Sequence, residues 1–285
     1  MDKMGKGLKV IDTHQNNFAL DLGRMFSNIE TERLHVLVIK TDYGTELLRK
    51  LNKAISEFGA KIVHLQFTTV CHGKHAECIA FIDLANSKVS SRNIEKFFKK
   101  QRIVKSAQIL NHKTYSLVGN NYHFPLEILG ERAVVFGKDV YAAIFKGIRD
   151  EFGTAGETFL YYLGVESGIE SYVFISEFIR KGKSEDLIKA IKVFTKSLGW
   201  GDIKEIHVNK DAGNAVIDVY NNFECALSEG SKTPYSRFYK GMLTGYFTKC
   251  FHEEVKVEEL KCIAMGDAYC KFKIGKLKPI KVAAD

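Results

Sequence analysis

The residues best suited to chemistry lie near the C-terminal end, in Glu259-Leu260-Lys261-Cys262-Ile263-Ala264-Met265-Gly266-Asp267-Ala268-Tyr269-Cys270. Thiolate sulfur and carboxylate oxygen both bind zinc, and tetrahedral sites recruit three or four such donors. Glu259, Cys262 and Cys270 are therefore candidate metal ligands. Glu259 and Cys262 fall on one expected strand at an odd spacing. Ideal alternation sends them to opposite faces, so a shared site requires a bulge or a twist. Cys270 returns on the partner strand after a turn at Met265-Gly266-Asp267, level with Cys262. The sulfurs also admit a redox reading in which Cys250, Cys262 and Cys270 form a reactive thiol set, which requires exposure and a lowered pKa.

Other groups carry weaker signals. Cys71-His72-Gly73-Lys74-His75-Ala76-Glu77-Cys78 packs several potential ligands into one tight turn, but its spacing matches no zinc finger or ribbon and reads as a polar hairpin tip. Aromatic side chains crowd a long expected helix, and aromatic-rich pockets bury apolar ligands well. Tyr162 and Tyr172 on that helix, with Tyr246 further on, are the candidate ligand contacts. The basic segment Lys96–Arg102 suits phosphate, but no helix-turn-helix surrounds it and no direct DNA-reading motif is present. Phosphate loops, dinucleotide fingerprints and the metalloprotease and hydrolase motifs are absent, which favours a binding protein over an enzyme.

These side chains must be positioned by an α+β chain. Arg33–Thr41 is a β-branched run suited to a buried strand, and Thr45–Phe58 repeats apolar residues at helical spacing up to Gly59. Lys61–Val70 and Glu77–Leu84 read as strands, Ser90 or Ser91 caps a helix through Gln101, and Ile103–Leu110 is a final strand. The order βαββαβ is the split βαβ pattern of ferredoxin-like folds. Residues 1–31 read as an arm, with Ala19–Ile29 spaced for a short amphipathic helix. Val118–Leu129 reads as a junction, broken at Gly119-Asn120-Asn121 and Pro125. Helices are expected over Gly137–Phe152, Ala155–Arg180, Ser184–Ser197 and Tyr235–Phe251. Hairpins are expected at Ile203–Val208 with Ala215–Tyr220, and at Val255–Cys262 with Ala268–Ile274. The domain plan is thus 1–31, 32–115 and 120–278.

The chain has 285 residues, 45% hydrophobic and 27% charged, which excludes disorder and fits two domains with real cores. No apolar run reaches the ~18–20 residues of a membrane span, and the first residues lack the apolar stretch of a secretory signal, so the expected location is cytoplasmic. Six cysteines then point to thiols or metal ligands rather than a disulfide framework. Charge is segregated: residues 1–119 hold 19 Lys and Arg against 11 Asp and Glu, and the remainder balances at 23 of each. The whole net charge of +8 therefore sits in the N-terminal part.

Residues 32–113 resemble an ACT domain, through their element order and the Thr41-Asp42-Tyr43-Gly44-Thr45 turn. That resemblance implies an amino acid effector held at Asp42, Tyr43 and Gly44, or a dimerisation role. Residues 122–276 resemble the 4-vinyl reductase domain. They do so through Asn221-Asn222-Phe223-Glu224, through Gly241-Met242-Leu243-Thr244-Gly245-Tyr246, and through the Glu259, Cys262, Cys270 ending. This resemblance implies an α+β pocket for an apolar or aromatic small molecule, with a structural zinc. Zinc-bearing members place a further Cys five residues before the first of the two glycines, where this chain has Ser236. Cys225, Cys250, His252 or water is left as the fourth ligand, and Cys250 completes the candidate set. The reading is a cytoplasmic, homodimeric regulatory protein that senses a small molecule. The alternative is a tetrapyrrole vinyl-group reductase or accessory enzyme, which would need a reductant for which no nucleotide or flavin fingerprint is present.

Overall fold

A computed structural model describes residues 19–27, 33–70, 75–110, 113–114, 117–179, 184–209 and 212–277. The chain divides into two compact units between Val134 and Val135. The Cys71–Lys74 tip of the N-terminal hairpin lies outside the described residues.

The first unit contains β1 (Met25–Ser27), β2 (Leu34–Thr41), α1 (Gly44–Glu57), β3 (Lys61–Val70), β4 (His75–Asp83), α2 (Ser91–Lys99) and β5 (Val104–Leu110). Short strands follow: β6 (Lys113–Thr114), β7 (Leu117–Gly119), β8 (Leu126–Ile128) and β9 (Glu131–Ala133). Strands β3-β4-β2-β5 form one antiparallel sheet, the order of a split βαβ arrangement. The apolar run of β2 is explained by burial on both faces. Leu37 and Ile39 meet the helices through Leu47, Leu51, Ile94 and Phe98, while Val36 and Val38 pack with Ile79, Phe81 and Val118.

That second face corrects the expectation of a free arm and a junction. Met25–Ser27 is a strand, not part of an Ala19–Ile29 helix, and pairs antiparallel with Leu117–Gly119. Phe26 sets its ring 4.6 Å from Phe81, and the Arg24 guanidinium donates to the carbonyls of Asn120 at 2.8 Å and His123 at 3.0 Å. An isolated eleven-residue helix is too short to sustain itself in water, so backbone pairing and burial of Phe26 prevail. The Gly119-Asn121 break therefore lies inside the first unit. Residues Leu126–Ala133, expected as junction, form a hairpin turned at Leu129 and Gly130, both at positive φ.

The second unit begins with α3 (Lys138–Phe178), which breaks at Gly153, where φ is 52° and ψ −127°. The two helices expected on either side are thus one element with a sharp kink that glycine tolerates. Next come α4 (Ser184–Ser197), β10 (Asp202–Asn209), β11 (Asn214–Tyr220), α5 (Arg237–Phe251), β12 (Val255–Lys261) and β13 (Cys270–Lys276). The sheet order is β10-β11-β13-β12, all antiparallel. Instead of a tight turn, a 3-10 turn at Ile263–Met265 joins β12 to β13. Buried Ile217, Val219, Phe272 and Ile274 of the sheet pack with Tyr239, Met242, Leu243 and Tyr246 of α5.

Glycines set how closely α5 and α3 approach. A Cβ on Gly164 or Gly168 would stand 2.1 or 2.0 Å from the carbonyl oxygens of Phe238 and Met242. One on Gly241 or Gly245 would stand 2.0 Å from those of Tyr161 and Val165. The two backbones are in direct contact, and the Tyr161 hydroxyl donates to Thr244 Oγ1 at 3.2 Å across the seam.

Candidate metal centre

Four side chains converge where the end of β12, the start of β13 and the 3-10 turn Cys225–Leu227 come together. The donor atoms of Cys225, Glu259, Cys262 and Cys270 all lie within 4.8 Å of one another. Cys225 Sγ is 3.5 Å from Cys262 Sγ and 3.7 Å from Glu259 Oε1. For a metal–sulfur bond of ~2.3 Å, a tetrahedron has edges of roughly 3.8 Å, so these separations match one ion at the centre. Three sulfurs and one carboxylate form a donor set suited to zinc.

Local structure explains how the sequence achieves this. The β12–β13 register shifts between Glu259 and Lys261. This bulge reverses the alternation and brings Glu259 and Cys262 to one side despite their odd spacing. Gly266, at φ 98°, closes the connection, and Asp267 Oδ2 accepts the Cys262 N–H at 2.8 Å. Those two contacts account for the Gly-Asp step in the motif. The Ile263 N–H faces Cys270 Sγ at 3.5 Å.

Ser236 stands at the N-cap of α5 without capping it. Its hydroxyl instead donates to Glu259 Oε2 at 2.6 Å, orienting the carboxylate toward the sulfurs. Burial pushes the Glu259 carboxyl up to about 8, against the pull of that hydrogen bond. The neighbouring sulfurs of Cys225 and Cys270 hold the Cys262 thiol far below the ordinary thiol range. Contact with Cys262 and then Cys270, together with burial, drives Cys225 the opposite way. Close thiols with opposed proton affinities are those that a bound cation would deprotonate together. Cys250 is a correction to the expected set. It is half-buried on α5, packs against the core and is not one of the four converging residues.

The α5 N-terminus is capped from a distance. Glu224, fully buried, accepts the N–H groups of Arg237 at 2.9 Å, Phe238 at 3.1 Å and Tyr239 at 2.8 Å. Arg149, from the first half of α3, forms an ion pair with the same carboxylate and donates to the Tyr235 carbonyl at 2.9 Å. Its guanidinium lies 4.0 Å over the Tyr235 ring. Burial pushes the Glu224 carboxyl up, while the Tyr239 N–H and Arg149 draw it back toward the ionised form. Removing one member of a buried pair strands the other charge. Arg149→Met is therefore expected to destabilise the second unit by about 3 kcal/mol in chemical denaturation. Adding Glu224→Gln should recover part of that loss, and equal stability of Arg149→Met and wild type would refute the assignment.

Beside this pair runs a chain of half-buried rings. Phe145 lies 5.5 Å from both Phe223 and Phe238, and Trp200 lies 6.2 Å and 6.0 Å from the same two. Tyr141 and Phe194 extend the row at 5.7 Å from Phe223 and 5.9 Å from Trp200. The tyrosines expected to contact a ligand do not gather there. Tyr162 is exposed on α3, turned ~100° away from its seam neighbour Tyr161. Tyr172 and Tyr246 meet edge-on at 5.6 Å, and the buried Tyr246 hydroxyl donates to the Leu187 carbonyl, which makes it part of the core. In the first unit, Asp42 pairs with Lys105 at 2.7 Å, Tyr43 is exposed, and Gly44 opens α1.

Sequence reasoning missed Arg149 and the capping role of Glu224, and left Cys225 as one of several alternatives. The available signal was the adjacency of Cys225 to the quoted Asn221–Glu224 segment. Gly164 and Gly168 were also missed, although they repeat the four-residue spacing of Gly241 and Gly245.

The fold and site together define an α+β unit whose antiparallel sheet carries a sulfur-rich terminal hairpin. Residues 215–276 match the family model of the 4-vinyl reductase domain, so this part of the chain is a domain of that family. No curated protein matches the chain. Among solved structures it is similar to the phenol-responsive sensory domain of the transcription activator PoxR with phenol, at 17% identity and TM-score 0.48, covering 54% of this chain and 82% of that one. It is also similar to a vinyl-4-reductase family protein from Methanocaldococcus jannaschii, at 18% identity and TM-score 0.38, covering 51% and 85%. A third is a trafficking protein particle complex subunit 3 from Naegleria fowleri covalently bound to palmitic acid, at 16% identity and TM-score 0.37, covering 50% and 95%. No helix among the described residues is long and apolar enough to cross a membrane.

Proposed function

We propose that this protein is a small-molecule-sensing regulator whose 4-vinyl reductase-type unit binds an aromatic ligand among its half-buried rings and holds a structural zinc at Cys225, Glu259, Cys262 and Cys270. One observation carries the reading: three consecutive residues serve all three features. Phe223 belongs to the ring row, Glu224 is the capping carboxylate paired with Arg149, and Cys225 supplies a sulfur to the quartet. A ligand that displaces Phe223 would thereby act on the α5 N-terminus and on the terminal hairpin, provided it binds one arrangement better than the other. Four protein donors fill a tetrahedral site and leave no open position for substrate, which supports a structural rather than a catalytic metal. Zinc, when bound, supplies a crosslink, and the residues themselves shape the wall behind the rings.

Trp200 is the only tryptophan in the chain, so its fluorescence reports on the ring row alone. Titration with phenol is expected to change that emission saturably, and Phe238→Ala is expected to weaken the response at least about tenfold, as loss of a buried aromatic contact does. A linear, unsaturable change, the same in both proteins, would end the sensor reading.

A further inference from the structure

We infer that the exposed face of α2 in the first unit is a binding surface for the phosphodiester backbone of duplex nucleic acid, read without regard to sequence. Between Lys88 and Lys105 the chain carries seven Lys or Arg and a single acid, Glu95. Ile94 and Phe98, both fully buried, fix the rotation of α2 against the sheet. At 3.6 residues per turn, Arg92, Lys96, Lys99 and Lys100 then fall within about 100° of arc opposite that buried side. All four are exposed, as are Lys88 and Arg102 at the two ends of the helix.

Little on the protein neutralises them. Glu95 pairs with Lys99. Among the described residues no carboxylate lies within ion-pair distance of Lys88, Arg92, Lys96, Lys100 or Arg102. Lys50 of α1 joins the edge of the patch, its Nζ donating to Gln101 Oε1 at 2.9 Å. The basic excess of the whole chain is thus concentrated on one rigid surface, the arrangement that attracts a polyanion and releases its counterions.

The choice of partner follows from what the face lacks. A helix that binds a lipid surface buries its apolar side among the headgroups. The apolar side of α2 is already committed to the core, and no large hydrophobic residue between Leu84 and Leu110 is exposed. A single-strand binder presents aromatic faces for base stacking. Phe97 instead packs edge-on between Phe58 and Phe98, at 5.2 Å from each. What remains is a row of cations suited to phosphates, which positions a protein on a duplex and carries no base reading.

The test uses the full chain and a fluorescent duplex of about 20 base pairs with arbitrary sequence. With about four phosphate contacts, affinity is expected to fall roughly 100-fold between about 50 and about 200 mM KCl. Replacing Arg92, Lys96, Lys99 and Lys100 by Gln should weaken binding at least about tenfold at the lower salt and flatten the salt dependence. The pair Lys96→Gln/Lys100→Gln should give about half the change in slope. Replacing Lys189, Lys249, Lys256 and Lys273 by Gln alters net charge equally and is expected to leave binding near wild type. Equal losses from both four-residue sets would assign the effect to net charge and overturn the inference, as would unchanged binding by the α2 variants. Binding of anionic phospholipid vesicles, with no binding of duplex, would overturn it too.

Discussion

Gly168→Ala is expected to destabilise the second unit by about 3 kcal/mol or more, whereas Gly147→Ala in the same helix is expected to stabilise it by up to about 1 kcal/mol. The chemical change is identical, and only the surroundings differ. Alanine is favoured over glycine inside a helix because it restricts the unfolded chain. Gly147 is exposed with nothing within 4 Å of an added Cβ, so that preference acts alone. At Gly168 the methyl group would lie 2.0 Å from the Met242 carbonyl oxygen and 2.9 Å from the Tyr246 nitrogen. Those are backbone atoms of a packed helix, so the strain cannot be relieved by one side chain changing rotamer. The helices would have to separate, opening the contacts of Leu160, Met242 and Tyr246 that they bury. Gly245→Ala should behave like Gly168→Ala, because its Cβ meets the Val165 carbonyl oxygen at the same distance. Urea denaturation of the three variants decides the matter. Shifts of the same sign at Gly147 and Gly168 would show that the close seam does not exist in solution.

The second large effect is expected at the sulfur quartet. Purified protein should carry one zinc per chain, and Cys225→Ser should abolish it while Cys250→Ser leaves it in place. A structural zinc contributes on the order of 10 kcal/mol to folding of small zinc domains, so its loss should markedly lower the melting temperature. A rescue distinguishes ligand loss from general damage. The Ser236 hydroxyl sits 2.6 Å from Glu259 Oε2, close enough to the quartet for a sulfur there to replace that of Cys225. The double variant Cys225→Ser/Ser236→Cys should therefore recover zinc and melting temperature. Metal analysis with thermal melts, with and without chelator, reads all four proteins. Loss of metal in Cys250→Ser with retention in Cys225→Ser would overturn the placement.

The expected α+β class and the expected strands and helices from Arg33 to Leu110 and from Ser184 to Ile274 correspond to elements of the structure because their signals are local. Periodic apolar residues, caps such as Ser90 and breaks such as Gly59 act over a few positions. The C-terminal Glu, Cys and Cys triad was visible for the same reason, as was the need for a bulge, since alternation along one strand is a local rule.

The remaining features depend on residues far apart in the chain. Whether Cys225 or Cys250 joined the triad turned on how the 3-10 turn after Glu224 meets β12, across a separation that no spacing rule spans. The pairing of Met25 with Gly119 turned an arm and a junction into two strands of one sheet. The ring row and the Arg149–Glu224 pair arise only when α3 bends at Gly153 and lies beside α5. Residue order determined which segments became strands and helices, because that choice is made by short-range sterics and periodicity. Only packing decided which sulfurs, charges and glycines meet, because burial and close contact are rewarded in space regardless of their distance along the chain.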